Sequence, residues 1–192
     1  MYLLRHGESE FNARFEQTGR DPGISDAPLT ARGHDQAKGA ATHFINLKRN
    51  PPGTQKPPRR LLCSPYTRAL QTARPIAEAL NLPLKVLPLL GERRLYSCDI
   101  GSGAKDLKAR WPGADFSALE DEQWWPPRNE GQEDIERRVR AFLALEDQAQ
   151  EQSVGPALVI SHWYFIFTLS GLDCANAQIV WRDGRGKFHK SG

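Results

Sequence analysis

Residues 156–163 read Pro-Ala-Leu-Val-Ile-Ser-His-Trp. The run Ala157–Ile160 is apolar without alternation, so as a strand it must be buried on both faces, as happens inside a parallel sheet covered by helices. Upstream, residues 132–150 repeat apolar side chains at helical spacing, with Ile135, Val139, Phe142, Leu143 and Leu145 on the inner side. Downstream, Tyr164–Leu169 reads as an apolar helix. Helix, buried strand and helix in succession predict an α/β layered fold.

The same pattern recurs towards the N-terminus. Tyr2-Leu3-Leu4 is a short apolar strand that stops at Arg5-His6-Gly7-Glu8, and Leu61-Leu62-Cys63 stops at Ser64-Pro65, with a helix from near Thr67. Leu84–Leu87 and Ile179–Trp181 supply further strands. The expected architecture is three layers, α/β/α, with a mostly parallel central sheet flanked by helices. Thr30 reads as the N-cap of a helix to about Leu47, with Ala37, Ala41, Phe44 and Ile45 on one face. Pro75 should kink or divide the helix that starts near Thr67, because it cannot bond the Gln71 carbonyl. The polar residues before Thr30 read as a long loop, and proline-rich Asn50–Pro58 as an exposed connection. Residues 92–131 are expected to form an insertion or lid with a short helix at Lys105–Trp111, and residues 183–192 a flexible, charged tail.

With 192 residues the chain is expected to be a single domain, 1–192. Apolar residues at 39% with 16 glycines give an ordinary globular composition and exclude wholesale disorder. No run approaches the ~18–20 apolar residues of a membrane span. The balance of 26 basic and 23 acidic residues, net +3, argues against a nucleic-acid partner. Lys48–Arg60 is basic and Glu120–Glu136 mostly acidic, both read as solvated surface. Cys63, Cys98 and Cys174 are too few and too scattered for a disulfide framework or a zinc site, and read as small buried side chains in a reducing compartment. Met1–Leu4 carries no signal-peptide pattern, so the expected location is cytoplasmic.

Two histidines follow directly on buried strands: His6 and His162. In open parallel sheets ligands bind beyond the carboxyl ends of the strands. Arg5 and Arg68 are cations at the same edge, Gly7 lets backbone approach a ligand, and the helix near Thr67 points its N-terminal N–H groups there. Together they describe an anion site, and phosphate is the anion whose oxygens match arginine forks.

In this order Arg5-His6-Gly7-Glu8, Asn12, Ser64-Pro65 with Arg68, Gln71 and Thr72, Glu92 before Arg93, and Ser161-His162 resemble the histidine phosphatase superfamily, which includes phosphoglycerate mutases and many phosphatases. Pro28-Leu29-Thr30 with Gly33 adds to the likeness, which runs from residue 2 to about residue 170. The resemblance implies a metal-independent phosphomonoester hydrolase without cofactor. His6 would be the nucleophile that becomes a phosphohistidine. Arg5, Arg68 and His162 would hold the phosphate, with Asn12 at the rim, and Glu92 would donate a proton to the leaving oxygen. His6 must then be neutral and Glu92 protonated, which Arg5 and Arg68 beside the one and partial burial of the other would favour. Glu92 has a structural alternative, an ion pair with Arg93 or Arg94. The expected partner is a small phosphorylated substrate or phosphate, and the oligomeric state is left open. Two other functions stand beside this one: mutase-type phosphotransfer, and non-catalytic phospholigand binding on the same fold.

One departure is Trp163, where this family usually has glycine; the indole is expected to turn into the core rather than wall the pocket. Trp124-Trp125 either stacks on substrate or plugs the insertion onto the domain. Arg93, Arg94, Arg110 and Arg128 either reach a second anionic group or pair with Glu120, Asp121 or Glu122. His34 and His43 read as surface or flank residues, and His189 as part of the tail.

Overall fold

The computed structural model describes residues 1–191. A seven-stranded sheet has the order β4-β3-β2-β5-β1-β6-β7. The strands are β1 Tyr2–Arg5, β2 Arg60–Cys63, β3 Leu84–Val86, β4 Ala114–Asp115, β5 Ala157–Ser161, β6 Ile179–Arg182 and β7 Phe188–Lys190. Strands β4 through β1 run parallel, while β6 and β7 are antiparallel. The unbroken apolar strand β5 lies between β1 and β2 and is buried along its whole length.

The helices are α1 Glu10–Thr18, α2 Ala31–Arg49, α3 Thr67–Leu80, α4 Ala104–Arg110, α5 Gln132–Glu151 and α6 Trp163–Ser170. Because strand side chains alternate, Tyr2, Leu4, Leu158 and Ile160 turn towards Phe44, Leu70 and Ile76 of α2 and α3. Leu3, Ala157 and Val159 turn the other way, onto Ile135, Val139 and Phe142 of α5 and Phe165 of α6. Each of the Leu, Ile, Val and Phe side chains among these contributes about 1.5–3 kcal/mol on burial, so both faces of the sheet are held. The fold is the expected three-layer α/β/α sandwich.

Thr30 caps α2, its hydroxyl accepting the Gly33 N–H at 3.0 Å. Gly33 and Gly7 are in backbone-to-backbone contact. A β-carbon on Gly7 would strike the Gly33 carbonyl, and one on Gly33 would strike the Glu8 carbonyl. Glu8 reinforces the contact by accepting from the Thr30 hydroxyl at 2.8 Å and from Arg32 at 3.1 Å. The first turn of α2 therefore fixes the loop that leaves β1.

Four local expectations are corrected. The stretch before Thr30 is not one long loop but contains α1. Ser9 and Asn12 cap each other's backbone N–H groups at 3.2 and 3.1 Å, and Phe11 and Phe15 stack at 5.4 Å. Pro75 lies inside α3, which runs unbroken from Thr67 to Leu80, so of its two expected effects the division is ruled out. Leu145 is 43% exposed, because the α5 stripe continues instead to Glu146, which is buried against Arg60 through two bonds of 2.8 and 2.9 Å. The C-terminal stretch is ordered as β7 at Phe188–Lys190, where His189 bonds Asp183 at 2.9 Å and stacks on Trp181. Residue 192 of that stretch lies outside the described residues.

Candidate active site

Register sets the site. Arg5 pairs with Ser161, and Cys63 with Ile160, so His6, His162 and Ser64 leave three adjacent strands side by side. The His6 N–H donates to the Ser161 carbonyl and the Ser64 N–H to the Ile160 carbonyl, both at 3.0 Å. The two imidazoles end with ring centres 5.0 Å apart.

His6 is buried, with Nδ1 2.7 Å from the Gly7 carbonyl. A carbonyl only accepts, so Nδ1 carries the hydrogen and Nε2 keeps its lone pair. Burial first, then the charges of Arg68 and Arg5, hold His6 well below the ordinary histidine range. His162 is depressed in the same way, by burial and then by Arg68 and His6. Its Nε2 lies 2.7 Å from the Ser64 hydroxyl, and its buried Nδ1 has no protein partner.

Both arginines are anchored by distant carbonyls. Arg5 Nη1 donates to the Cys174 carbonyl at 2.7 Å, and its buried Nε has no partner. Arg68 donates to the Cys98 carbonyl at 2.7 Å and to Asp99 Oδ1 at 3.1 Å, with its guanidinium 4.5 Å from the centre of the Tyr66 ring. The other Asp99 oxygen accepts the N–H groups of Leu95 and Tyr96 at 3.1 and 3.0 Å.

Glu92 makes no ion pair with Arg93 or Arg94. Its Oε1 accepts the backbone N–H of Arg93 at 2.9 Å and of Tyr164 at 3.1 Å. Burial, then the charge of Asp99, raises this carboxyl from the ordinary 4.5 to about 7. Its loop is pinned by Arg138, whose guanidinium reaches the carbonyls of Leu89, Gly91 and Glu92 and both oxygens of Glu130 at 2.7–3.0 Å. Asn12 stands at the rim, its Oδ1 accepting from Asn176 at 3.1 Å.

Arg5, His6, Asn12, Arg68 and Glu92 line one cavity of about 280 Å³, and His162 packs against His6 below it. A larger cavity of about 490 Å³ opens near Met1 and the Arg60–Glu146 pair, with no histidine in its lining.

Other sequence expectations are corrected here. The N-terminus of α3 does not offer its first amide to a ligand, because the Thr67 N–H and hydroxyl donate to Asp26 at 2.8 and 2.6 Å. Trp163 walls the cavity instead of entering the core, with its indole N–H on Asp173 at 2.6 Å. Trp124 is the plug. It meets Tyr66 edge-on at 4.7 Å and donates to the Ser102 carbonyl at 2.8 Å. Of the candidate second cations, Arg93 lines the cavity, whereas Arg110 pairs with Asp106 and Arg94 bonds the Pro126 carbonyl. Sequence reasoning missed Asp99, Asp26, Glu130 and Arg138, which no local signal ties to the site.

The family model described as the histidine phosphatase superfamily (branch 1) matches residues 1–172. The chain belongs to the histidine phosphatase superfamily. A probable phosphatase of Schizosaccharomyces pombe is 28% identical over 132 residues, covering 67% of this chain and 56% of that protein, so this chain spans little more than half of that relative. An adenosylcobalamin/alpha-ribazole phosphatase of Salmonella typhimurium is 31% identical over 169 residues, 84% of this chain and 73% of that one. A probable phosphoglycerate mutase of Enterobacter sp. is 31% identical over 151 residues, 75% of this chain and 61% of that one. Among solved structures, the ecdysone phosphate phosphatase of Bombix mori in complex with tungstate superposes with a TM-score of 0.70 at 15% identity, covering 100% of this chain and 91% of that one.

Proposed function

We propose that this histidine phosphatase is a phosphomonoester hydrolase working through a phosphohistidine on His6. His6 Nε2 attacks phosphorus as the bond to the leaving oxygen breaks, and the Glu92 carboxylic acid gives that oxygen its proton. Glu92, now a carboxylate, takes a proton from water, which attacks the phosphohistidine and releases phosphate and free His6. Arg5, Arg68 and His162 spread positive charge and hydrogen bonds over the non-bridging oxygens, which is where phosphoryl transfer needs them. Of the four buried polar side-chain atoms without a partner among the described residues, two, Arg5 Nε and His162 Nδ1, belong to these residues, which supports that role.

One observation carries the reading. A histidine whose Nδ1–H is fixed on Gly7, leaving Nε2 unprotonated, shares a cavity with a carboxyl raised to about 7. The nucleophile and the acid each hold the protonation state that the first step demands near neutral pH. Hydrolysis is favoured over mutase-type transfer because the 92–131 segment leaves the cavity open to water, with Tyr96 in its lining 41% exposed.

Rapid acid-free quenching during turnover should trap enzyme-bound phosphate that is stable to alkali and labile to acid. His6→Ala should lose both the adduct and the turnover while keeping the fold by circular dichroism. Turnover retained in that variant would remove His6 as nucleophile. Interconversion of phosphoglycerates faster than phosphate release would replace the hydrolase by the mutase.

A further inference from the structure

Two aromatic clusters line the cavity that holds His6. In one, Phe11 and Phe15 stack at 5.4 Å, and the Tyr96 ring sits 5.5 and 5.2 Å from them. In the other, Trp163 and Tyr164 meet edge to face at 4.6 Å. Trp163 is held rigidly, its ring stacked on Phe167 with only 5° between planes and its indole N–H on Asp173. All five rings line the cavity, yet Tyr96 is 41% exposed and Phe15, Trp163 and Tyr164 are only half-buried. Apolar surface gathered around a polar centre and left open to water marks a ligand-binding wall rather than a core.

The charges in that lining point the same way. Apart from Arg5 and Arg68 at the phosphate position, Arg93 is the one cation in the lining among the described residues. Its Nε is taken by the Glu130 carbonyl at 2.9 Å, and its guanidinium lies 5.0 Å from the centre of the Tyr164 ring. A carboxylate on the leaving group would find a single cation, the terminal nitrogens of Arg93, whereas an aromatic ring would find five aromatic side chains.

We infer that the substrate is a phosphomonoester of an alcohol bearing one aromatic ring system, held by the Phe11–Phe15–Tyr96 and Trp163–Tyr164 clusters. The cavity of about 280 Å³ that the two clusters line has room for one ring system beside the phosphate position, and a polar cavity of about 510 Å³ adjoins it at Arg5, Asn12 and Phe15. This inference rests on the hydrolase reading and adds the class of its leaving group.

The test compares 2-phenylethyl phosphate with n-butyl phosphate, whose alcohols leave with similar ease, and adds 3-phosphoglycerate as the acidic competitor. The expected kcat/KM ratio of the phenylethyl to the butyl ester is roughly tenfold, the order that aromatic packing supplies. Trp163→Ala and Phe15→Ala should each shrink it by roughly threefold or more, mainly through KM. A ratio taken within one protein sample is insensitive to a partly unfolded fraction. A ratio near one, a ratio unmoved by both variants, or 3-phosphoglycerate outrunning the aromatic ester would overturn the inference and leave the hydrolase standing. Release from none of the three esters above the His6→Ala background would overturn the hydrolase reading itself, and this inference with it.

Discussion

Glu92 and His6 hold opposite protonation states within one cavity, so the rate should bracket them. For an alkyl phosphate, whose leaving oxygen needs a proton, kcat/KM should fall above about pH 7 as Glu92 ionises. The acid limb should fall well below pH 6.5, because His6 resists protonation through burial and its two arginines. Glu92→Gln should lower kcat by about 10²–10⁴ and remove the alkaline limb; a pH–rate profile of wild type and variant checks both. Gly33→Ala, by contrast, acts without touching the chemistry. Its methyl group would press on the Glu8 carbonyl, so thermal melting should drop and His6 should lose its alignment, lowering kcat. At this scale the sequence was readable where a residue's place follows from a strand end, as for Arg5, His6 and His162. It was not readable where the side chain's direction decides, as for Trp163, whose position at the start of α6 turns the ring along the cavity wall.

Elements are joined by a few buried polar ties, and these are where single changes should do most harm. Arg60 at the start of β2 and Glu146 on α5 form a two-bond pair with 18% and 5% side-chain exposure. Glu146→Ala leaves the guanidinium without its partner and should cost about 3 kcal/mol, the low end for a broken buried pair given that Arg60 is partly wet; urea unfolding measures it. Arg138 ties α5 to the Glu92 loop, so Arg138→Met should lower kcat several-fold more than it alters KM, since it misplaces an acid and not a binding group. Legibility at this scale tracked hydrophobic period. Helices α2, α3 and α5 and strand β5 were written in apolar repeats. Helix α1 was hidden because it has only Phe11 and Phe15 on its buried side and an asparagine where a capping box usually carries Glu or Gln. Strand β7 was hidden because its residues are polar and its pairing with β6 is what holds it.

For the molecule as a whole, stability should depend on pH in two opposing ways. In the unfolded chain His6 and His162 would bind protons below about pH 6.5, but in the fold both are held lower. The unfolded state therefore takes up more protons there, and their contribution to stability is lost as pH falls below 6.5. Glu92 works in the other direction: it favours the fold at low pH, and that contribution is lost as pH rises through about 7. Chemical denaturation across pH 5–8 should show the acid-side loss shrink in a His6→Asn, His162→Asn double variant. The sheet order has one more consequence. Strand β5 fills the gap between β1 and β2, although it is made nearly a hundred residues after β2. A nascent chain halted before Ala157 thus carries two strands whose facing edges have nothing between them, and neither His162 nor the Cys174 carbonyl that steadies Arg5. The proposed phosphate cradle is a late product of synthesis, so a truncated chain should be both catalytically silent and exposed to edge-to-edge aggregation.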